Sequence, residues 1–470
     1  MQKLFKNCYE MDRKSYEKFH LTEDILMEHA ASSMQKFIQK KFPKKSKVLI
    51  VSGVGNNGAD GIALARLLHK EYKVKLFIPF GLKSQMATLQ LKRAKAVGVK
   101  VVKKIKKADI IVDALFGAGL KRELNEQTIE IIKKLNRMDG YKIACDIPTG
   151  INEQGALSPI AFRADTTITM GALKEALYSD EAKDYVGKIE VANLGVAREL
   201  YEDESSSFVL QKEDFNPPIR RKKSSHKGDY GHVGVFVGQK SGAAIISATA
   251  AARFGAGLVT LIYHEKITHP PFLMSSSTMP SKINSIAIGM GLGEYFEKEF
   301  LQKYVIDSLV AVVLDADSFY KKELLEIVYQ KDRKVVLTPH PKEFSSLFEI
   351  LENRKISVEE IQKDRFQIAR EFGSKYPNVV LVLKGANPII VKGERVFVNP
   401  LGKEVLAKGG SGDILSGLIA ALLAQGRDEL DSAINGSLAL ALASRRYKGA
   451  NYSALPNDII NIIPKLRRKK

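Results

Sequence analysis

The sequence predicts an α/β fold built as two three-layer α/β/α domains, and three observations carry that expectation. Short apolar runs alternate with segments whose apolar residues recur every three or four positions, the pattern of strands joined by helices. The strand-like runs are apolar on both faces, as strands of a parallel sheet covered on each side must be. The alternation breaks once, in a stretch rich in proline, serine and charge, and then restarts.

Taken in order, the first 40 residues read as leading helices. From Phe42 to about Leu194, "KVLIVSG", "KVKLFIPFG", "ADIIVDALFG", "YKIACDIPTG" and "ADTTITMGA" read as strands. Between them "ADGIALARLLHK", "SQMATLQLKRAKAVG" and "EQTIEIIKKLNR" have helical spacing. The segment "FNPPIRRKKSSHKGDYGH" marks a linker near residues 205–225, separating domains at 1–205 and 212–470. Beyond it "HVGVFVG", "LVTLIYH", "SIAIGMG", "AVVLDAD", "KVVLTPH", "VVLVLKG" and "NPIIVKG" read as strands, with "AAIISATAAARFGAG" a helix of small residues.

Composition narrows the function classes. The chain has 470 residues, 45% of them hydrophobic, and no run approaches the roughly 20 apolar residues of a membrane span. Two cysteines, Cys8 and Cys145, cannot build a disulfide framework and suit a reducing compartment. "MQKLFKNCYEMDRK" lacks an apolar signal core, so a cytoplasmic protein with no membrane partner is expected. The net charge of +20 raises nucleic acid as a partner. Only "RRKK" (Arg220 to Lys223) and the terminal "LRRKK" are compact, however, and neither is interleaved with aromatics. Phosphate-bearing small molecules fit better, so no nucleic-acid partner is expected.

The first motif is "GVGNNGADG", Gly53 to Gly61, between a strand and a helix. Its glycines satisfy GxGxxG, but a dehydrogenase fingerprint needs an acidic residue at the end of the next strand. That strand ends "KLFIPFG", without one. The loop still offers close backbone approach and a helix N-terminus, with Asn56, Asn57 and Asp60 as polar groups. Asp113 in "VDALFGAGLKRE" and Asp146 and Thr149 in "CDIPTG" stand at other strand ends, where open α/β sheets bind ligands.

These three motifs resemble the signatures of the YjeF N-terminal family, the NAD(P)H-hydrate epimerases, over nearly all of residues 1–200. The resemblance implies a Rossmann-like domain in which Asn56, Asn57, Gly58, Ala59 and Asp60 contact the hydrated dinucleotide. Gly117, Ala118, Gly119, Leu120, Lys121, Arg122 and Glu123 would do the same from the second motif. It also implies a potassium ion among Asn57, Asp113 and Thr149, and Asp146 as substrate contact and acid/base residue. The family usually has serine in the last motif, and Thr149 keeps the hydroxyl.

In the second half "AKGGSGDILSG", Ala407 to Gly417, sets Asp413 after a glycine turn at the start of an apolar helix. That is an anion hole with a carboxylate beside it, suited to a base that activates a hydroxyl toward a phosphoryl group. "VLKGANP" supplies Lys384 and a glycine, "LTPHPKEF" supplies His340 and Glu343, and "VLDADSF" supplies Asp315 and Asp317. His340 alone could be structural, and Asp315 and Asp317 could be simple strand-end caps; magnesium ligation is possible but no spacing fixes it.

In motif order, from about Lys212 to Ile463, this half resembles the ADP/ATP-dependent NAD(P)H-hydrate dehydratases of the ribokinase-like superfamily. The resemblance implies ADP on Lys384, Gly385, Ala386, Asn387, Pro388 and Gly412, with Mg2+ and with ATP as a possible replacement. It implies the hydrate on Ala243, Gly291, His340 and Asp413, with Asp413 catalytic. Lys342 stands where a glycine is common. The whole would be a bifunctional repair enzyme, epimerising NADHX and NADPHX and dehydrating the S form with ADP to give AMP and phosphate. A homo-oligomer is expected. Two alternatives stay open: a vitamin or sugar kinase fused to a nucleotide-binding module, and an N-terminal domain that only binds.

Overall fold

The computed structural model describes residues 1–120, 123–294 and 296–467. It divides into two compact units, Lys3–Ser205 and Met1–Gln2 with Ser206–Lys470. The leading segment forms a short strand, β1 (Gln2–Leu4), and then the helices Tyr9–Phe19 and Glu23–Lys41.

The first unit's sheet contains β2 (Lys47–Ser52), β3 (Lys73–Phe77), β4 (Val101–Val102), β5 (Ile110–Ala114), β6 (Tyr141–Cys145), β7 (Thr166–Met170) and β8 (Lys188–Ala192). Their order is β4-β3-β2-β5-β6-β7-β8, and every pairing is parallel. Two-sided burial of Val48 to Val51 and of Ile110 to Val112 explains their continuous apolar runs. The helix Asn56–Leu68 buries Ile62, Ala63, Leu64 and Ala65 against that sheet. The chain leaves β2 in one direction through β3 and β4, then returns to β5 on the other flank. The crevice beyond the C-terminal ends of β2 and β5 is therefore the switch point where such sheets bind ligands. The two loops there touch: a Cβ on Gly53 would lie 1.8 Å from the Leu115 carbonyl oxygen.

The second unit contains β9 (Ser207–Val209), β10 (His232–Val237), β11 (Leu258–Tyr263), β12 (Met274–Ser276), β13 (Ser285–Ile288), β14 (Ala311–Leu314), β15 (Val335–Leu337), β16 (Val379–Leu383), β17 (Ile389–Lys392) and β18 (Arg395–Val398). These strands run in the order β9-β18-β17-β16-β15-β14-β13-β10-β11-β12. Two expectations are corrected here. The sheet is not wholly parallel, because β16, β17 and β18 pair antiparallel. Lys392 pairs with Arg395 across a two-residue turn at Gly393 (φ 56°), too short for a crossover to a parallel strand. The expected linker is also partly structured, since β9 pairs parallel with β18.

The order reverses again at β10, which has β11 on one side and β13 on the other. The helix Ser411–Ala424 is buried from Ile414 to Ala424. It lies so close to the helix Ser241–Arg253 that a Cβ on Gly417 would come 2.0 Å from the Ser247 carbonyl oxygen. Among the described residues, no helix is long and apolar enough to cross a membrane.

Candidate active sites

At the first switch point the helix Asn56–Leu68 begins inside the glycine loop, so its unpaired first-turn N–H groups lie at the crevice. Both amide atoms of Asn57, Oδ1 and Nδ2, are buried without a hydrogen-bond partner. Leaving such groups unmet costs about 1–3 kcal/mol each, so an orphaned amide marks a site that a ligand completes. A Cβ on Gly117 would stand 3.2 Å from Asn57 Oδ1 and 3.2 Å from Asp146 Oδ2. The glycine keeps clear the point where those two side chains converge.

Asp113 is 1% exposed. Its Oδ1 accepts from Thr149 Oγ1 at 2.8 Å and from the Leu115 N–H at 3.1 Å, and its Oδ2 from the Thr149 N–H at 2.8 Å. Among the described residues no cation pairs with it, and burial pushes its carboxyl up to about 6. A buried carboxyl without a counter-ion, a hydroxyl and an orphaned amide oxygen make a donor set that fits a hard cation.

The other first-site residues divide. Asp60 is pushed well above the usual carboxylate range by burial and by the charges of Asp146, Asp12 and Glu23. Asn56 instead donates to Glu23 Oε1 and accepts from Ser84. Ala59 and Leu120 lie in apolar clusters, leaving their backbones to meet a ligand. Gly58 is packed against Gly53, whereas Gly119 and Glu123 are exposed. Lys121 and Arg122 lie outside the described residues.

Asp146 takes a left-handed backbone, φ 68°, at the end of β6. Non-glycine residues there are uncommon, and such strain gathers at functional sites. Its Oδ1 accepts from Lys174 Nζ at 2.7 Å, the Thr169 hydroxyl at 3.1 Å and the Met170 N–H at 3.1 Å. Among the described residues, its Oδ2 accepts the Ala118 N–H alone, at 3.3 Å. Burial raises this carboxyl, but the Lys174 charge and these hydrogen bonds outweigh it, so Asp146 sits below its ordinary value. Asp146 is pushed down and Asp60 up, the arrangement that suits one carboxyl to take a proton and the other to give one.

In the second unit the candidate residues follow β14, β15 and β16 and open the helix Ser411–Ala424. Gly410 adopts φ 95°, which lets the chain turn into that helix, and Asp413 lies in its first turn. Burial and the Asp315 charge raise Asp413 to about 6, with Lys384 opposing them. Lys384 Nζ stands 2.7 Å from Asp315 Oδ1 and 3.3 Å from Glu343 Oε2. Ser416 donates to Asp315 Oδ2 at 2.7 Å. A Cβ on Gly412 would come 3.4 Å from Lys384 Nζ, so the glycine loop brings backbone to the lysine.

His340 caps the helix Pro341–Glu352, its Nδ1 accepting from the Lys342 and Glu343 N–H groups. Asp317 Oδ2 accepts the Gly293 N–H at 2.9 Å. Lys384 supplies a cation to Asp315, and a backbone N–H engages one oxygen of Asp317. Ala243 and Gly291 meet through Lys240, whose carbonyl accepts from the Ala243 N–H and whose N–H donates to the Gly291 carbonyl. The loop Lys384 to Pro388 is anchored from behind by buried Arg365, which donates to the Leu383 and Lys384 carbonyls at 3.1 Å.

Comparison with known proteins covers both units. Residues 23–176 match the family model described as YjeF-related protein N-terminus, and residues 233–465 match NAD(P)H-hydrate dehydratase. The bifunctional NAD(P)H-hydrate repair enzyme Nnr of Helicobacter pylori is 42% identical over 478 residues, spanning 99% of this chain and 100% of that one. The chain belongs to the bifunctional NAD(P)H-hydrate repair enzymes. The enzyme of that name from Dictyoglomus turgidum is 35% identical, spanning 94% of this chain and 93% of its own. Among solved structures, an ADP/ATP-dependent NAD(P)H-hydrate dehydratase from Bacillus subtilis, co-crystallised with ATP and Mg2+, is 26% identical. It covers 54% of this chain and 94% of that one, with a TM-score of 0.45.

In this member of the repair-enzyme family, the sequence motifs miss Lys174, Thr169, Ser416 and Arg365. A signal existed for one of them. Lys174 is the lone charge in "MGALKEAL" before Glu175, and a lysine set among small and apolar residues is the kind that buries only with a partner.

Proposed function

We propose that the first unit interconverts the R and S forms of hydrated NADH and NADPH, and that the second returns the S form to NAD(P)H. The chain is a bifunctional NAD(P)H-hydrate repair enzyme, with residues 1–205 as its epimerase domain and 212–470 as its dehydratase domain. The phosphoryl donor is a nucleoside polyphosphate, read as ADP giving AMP and phosphate, with ATP able to replace it.

The observation that carries the dehydratase reading is Asp413 in the first turn of a buried helix, beside Lys384 and unpaired with it. Asp413 takes the proton of the C6 hydroxyl as that oxygen attacks the terminal phosphoryl group. The ring-nitrogen lone pair then expels phosphate from C6, and loss of a C5 proton restores the ring double bond. Hydroxide is a poor leaving group and phosphate a good one, which is why a dehydratase has a kinase-like site. Lys384 to Pro388 and Gly412 hold the nucleotide, while Ala243, Gly291 and His340 contact the hydrate. Mg2+ arriving with the nucleotide would supply positive charge to its phosphate oxygens.

For epimerisation, C6 must become planar. Asp146 takes the hydroxyl proton, the C6–N1 bond opens to an aldehyde, and N1 is protonated, with Asp60 the candidate donor. Rotation and reclosure on the other face give the second epimer. The loops at Asn56 to Asp60 and Gly117 to Glu123 hold the dinucleotide. Asn57, Asp113 and Thr149 are the residues that would hold K+, which supplies the charge Asp113 lacks.

The test is mixed-epimer NADHX with ADP and Mg2+, following NADH absorbance. Full recovery is expected; recovery that stops at the S fraction would remove the epimerase. ADP cleavage with a pyrimidine or sugar alcohol but not with NADHX would favour the kinase alternative.

A further inference from the structure

We propose that Lys174 is the positioning residue of the epimerase site: by occupying Oδ1 of Asp146, it reserves Oδ2 for the substrate. The inference rests on reading Asp146 as the base. Lys174 is 3% exposed, and its three contacts form a closed set. Nζ donates to Asp146 Oδ1 at 2.7 Å, Thr169 Oγ1 at 2.9 Å and the Met170 carbonyl at 3.0 Å. Thr169 and Met170 turn their own donors back to that same Oδ1. The end of β7 and Lys174 thus make a socket for one carboxylate oxygen.

Among the described residues the other oxygen has a single long N–H contact, and it stands at the point by Gly117 where the Asn57 amide also converges. The asymmetry matters because a base must meet its proton within hydrogen-bond reach and at a fixed angle. The left-handed backbone of Asp146 works with the socket, since it sets where the side chain leaves the strand.

Other charges act on Asp146 from several elements. Asp60 lies on the helix Asn56–Leu68, Cys8, Tyr9 and Asp12 at the start of the chain, and Cys145 beside it. All of these are acids, so among the described residues Lys174 is the cation that favours the ionised carboxylate.

The experiment measures epimer exchange against pH in the full-length wild type, Lys174→Met, Lys174→Arg, Thr169→Val and Asp146→Asn. Lys174→Met is expected to lower kcat about 100-fold, keep KM within about twofold, and move the acid limb up by about one pH unit or more. Lys174→Arg keeps the cation and should restore the limb; Thr169→Val should move it the same way by less. Thr169→Val also keeps the question open to test if Lys174→Met does not fold. An unmoved acid limb in Lys174→Met, or a loss confined to KM, would overturn the inference. If Asp146→Asn exchanges epimers at the wild-type rate, the underlying reading fails instead, and the two failures are told apart.

Discussion

Asp146, at the end of a strand in the first unit, and Asp413, in the first turn of a helix in the second, are both partly buried carboxylates, yet their surroundings push them in opposite directions. Asp146 has a buried lysine to itself and lies below the usual carboxylate range. Asp413 also has a lysine nearby, but Lys384 is shared between Asp315 and Glu343, and Asp413 rises to about 6. Burial is common to both; what differs is who holds the cation. Asp146 is thereby held toward its ionised form, whereas the lysine near Asp413 is engaged by two other carboxylates.

Four experiments bear on that contrast. The largest effect is expected for Asp413→Asn, which should reduce ADP-dependent NADH recovery by roughly 10²–10⁴-fold and leave epimer exchange intact. Loss of both activities would contradict a role for Asp413 confined to dehydration. Next, Asp146→Asn should slow epimer exchange by at least about 100-fold, leaving dehydration of the pure S form unchanged. The R form should then accumulate in a mixed pool.

The third is a pH comparison. Asp413 must be ionised to accept a proton, so dehydration should rise as pH climbs through about 6. Below that it should fall about tenfold per pH unit. Asp146 remains ionised to lower pH, so epimer exchange should persist across the range where dehydration fails. Coincident acid limbs would remove the distinction between the two carboxylates. The smallest effect is structural. Gly417→Ala forces a methyl against the Ser247 carbonyl and should destabilise the second unit by about 1–3 kcal/mol, read as a lowered melting temperature. The first unit's epimerase activity should be unaffected.

Much of this was legible in the residues. Two-sided apolar runs announced parallel strands, and the loops that follow β2, β5 and β6 carry the motifs that meet at the first crevice. The short strands were not legible. Val101–Val102 and Ser207–Val209 are two and three residues long, below what periodicity can register, and they pair because neighbouring edges are available. The antiparallel end of the second sheet depended on a two-residue turn hidden in "VKGERVF". Asp113 and Asp146 were visible as strand-end carboxylates, but their difference was not. It depends on Lys174, 28 positions beyond Asp146, which only the fold brings within 2.7 Å.

The left-handed backbone at Asp146 has a bearing on how this site can be probed and how it can drift. Asparagine shares aspartate's tolerance of that conformation, so Asp146→Asn alters the proton chemistry with little backbone cost. Alanine or glutamate at the same position would add roughly 1–2 kcal/mol of conformational penalty to any chemical loss. Their deficits would mix two causes. One backbone angle thus decides which substitution gives an interpretable answer, and narrows the single steps by which an active lineage could leave this residue without first disturbing its loop.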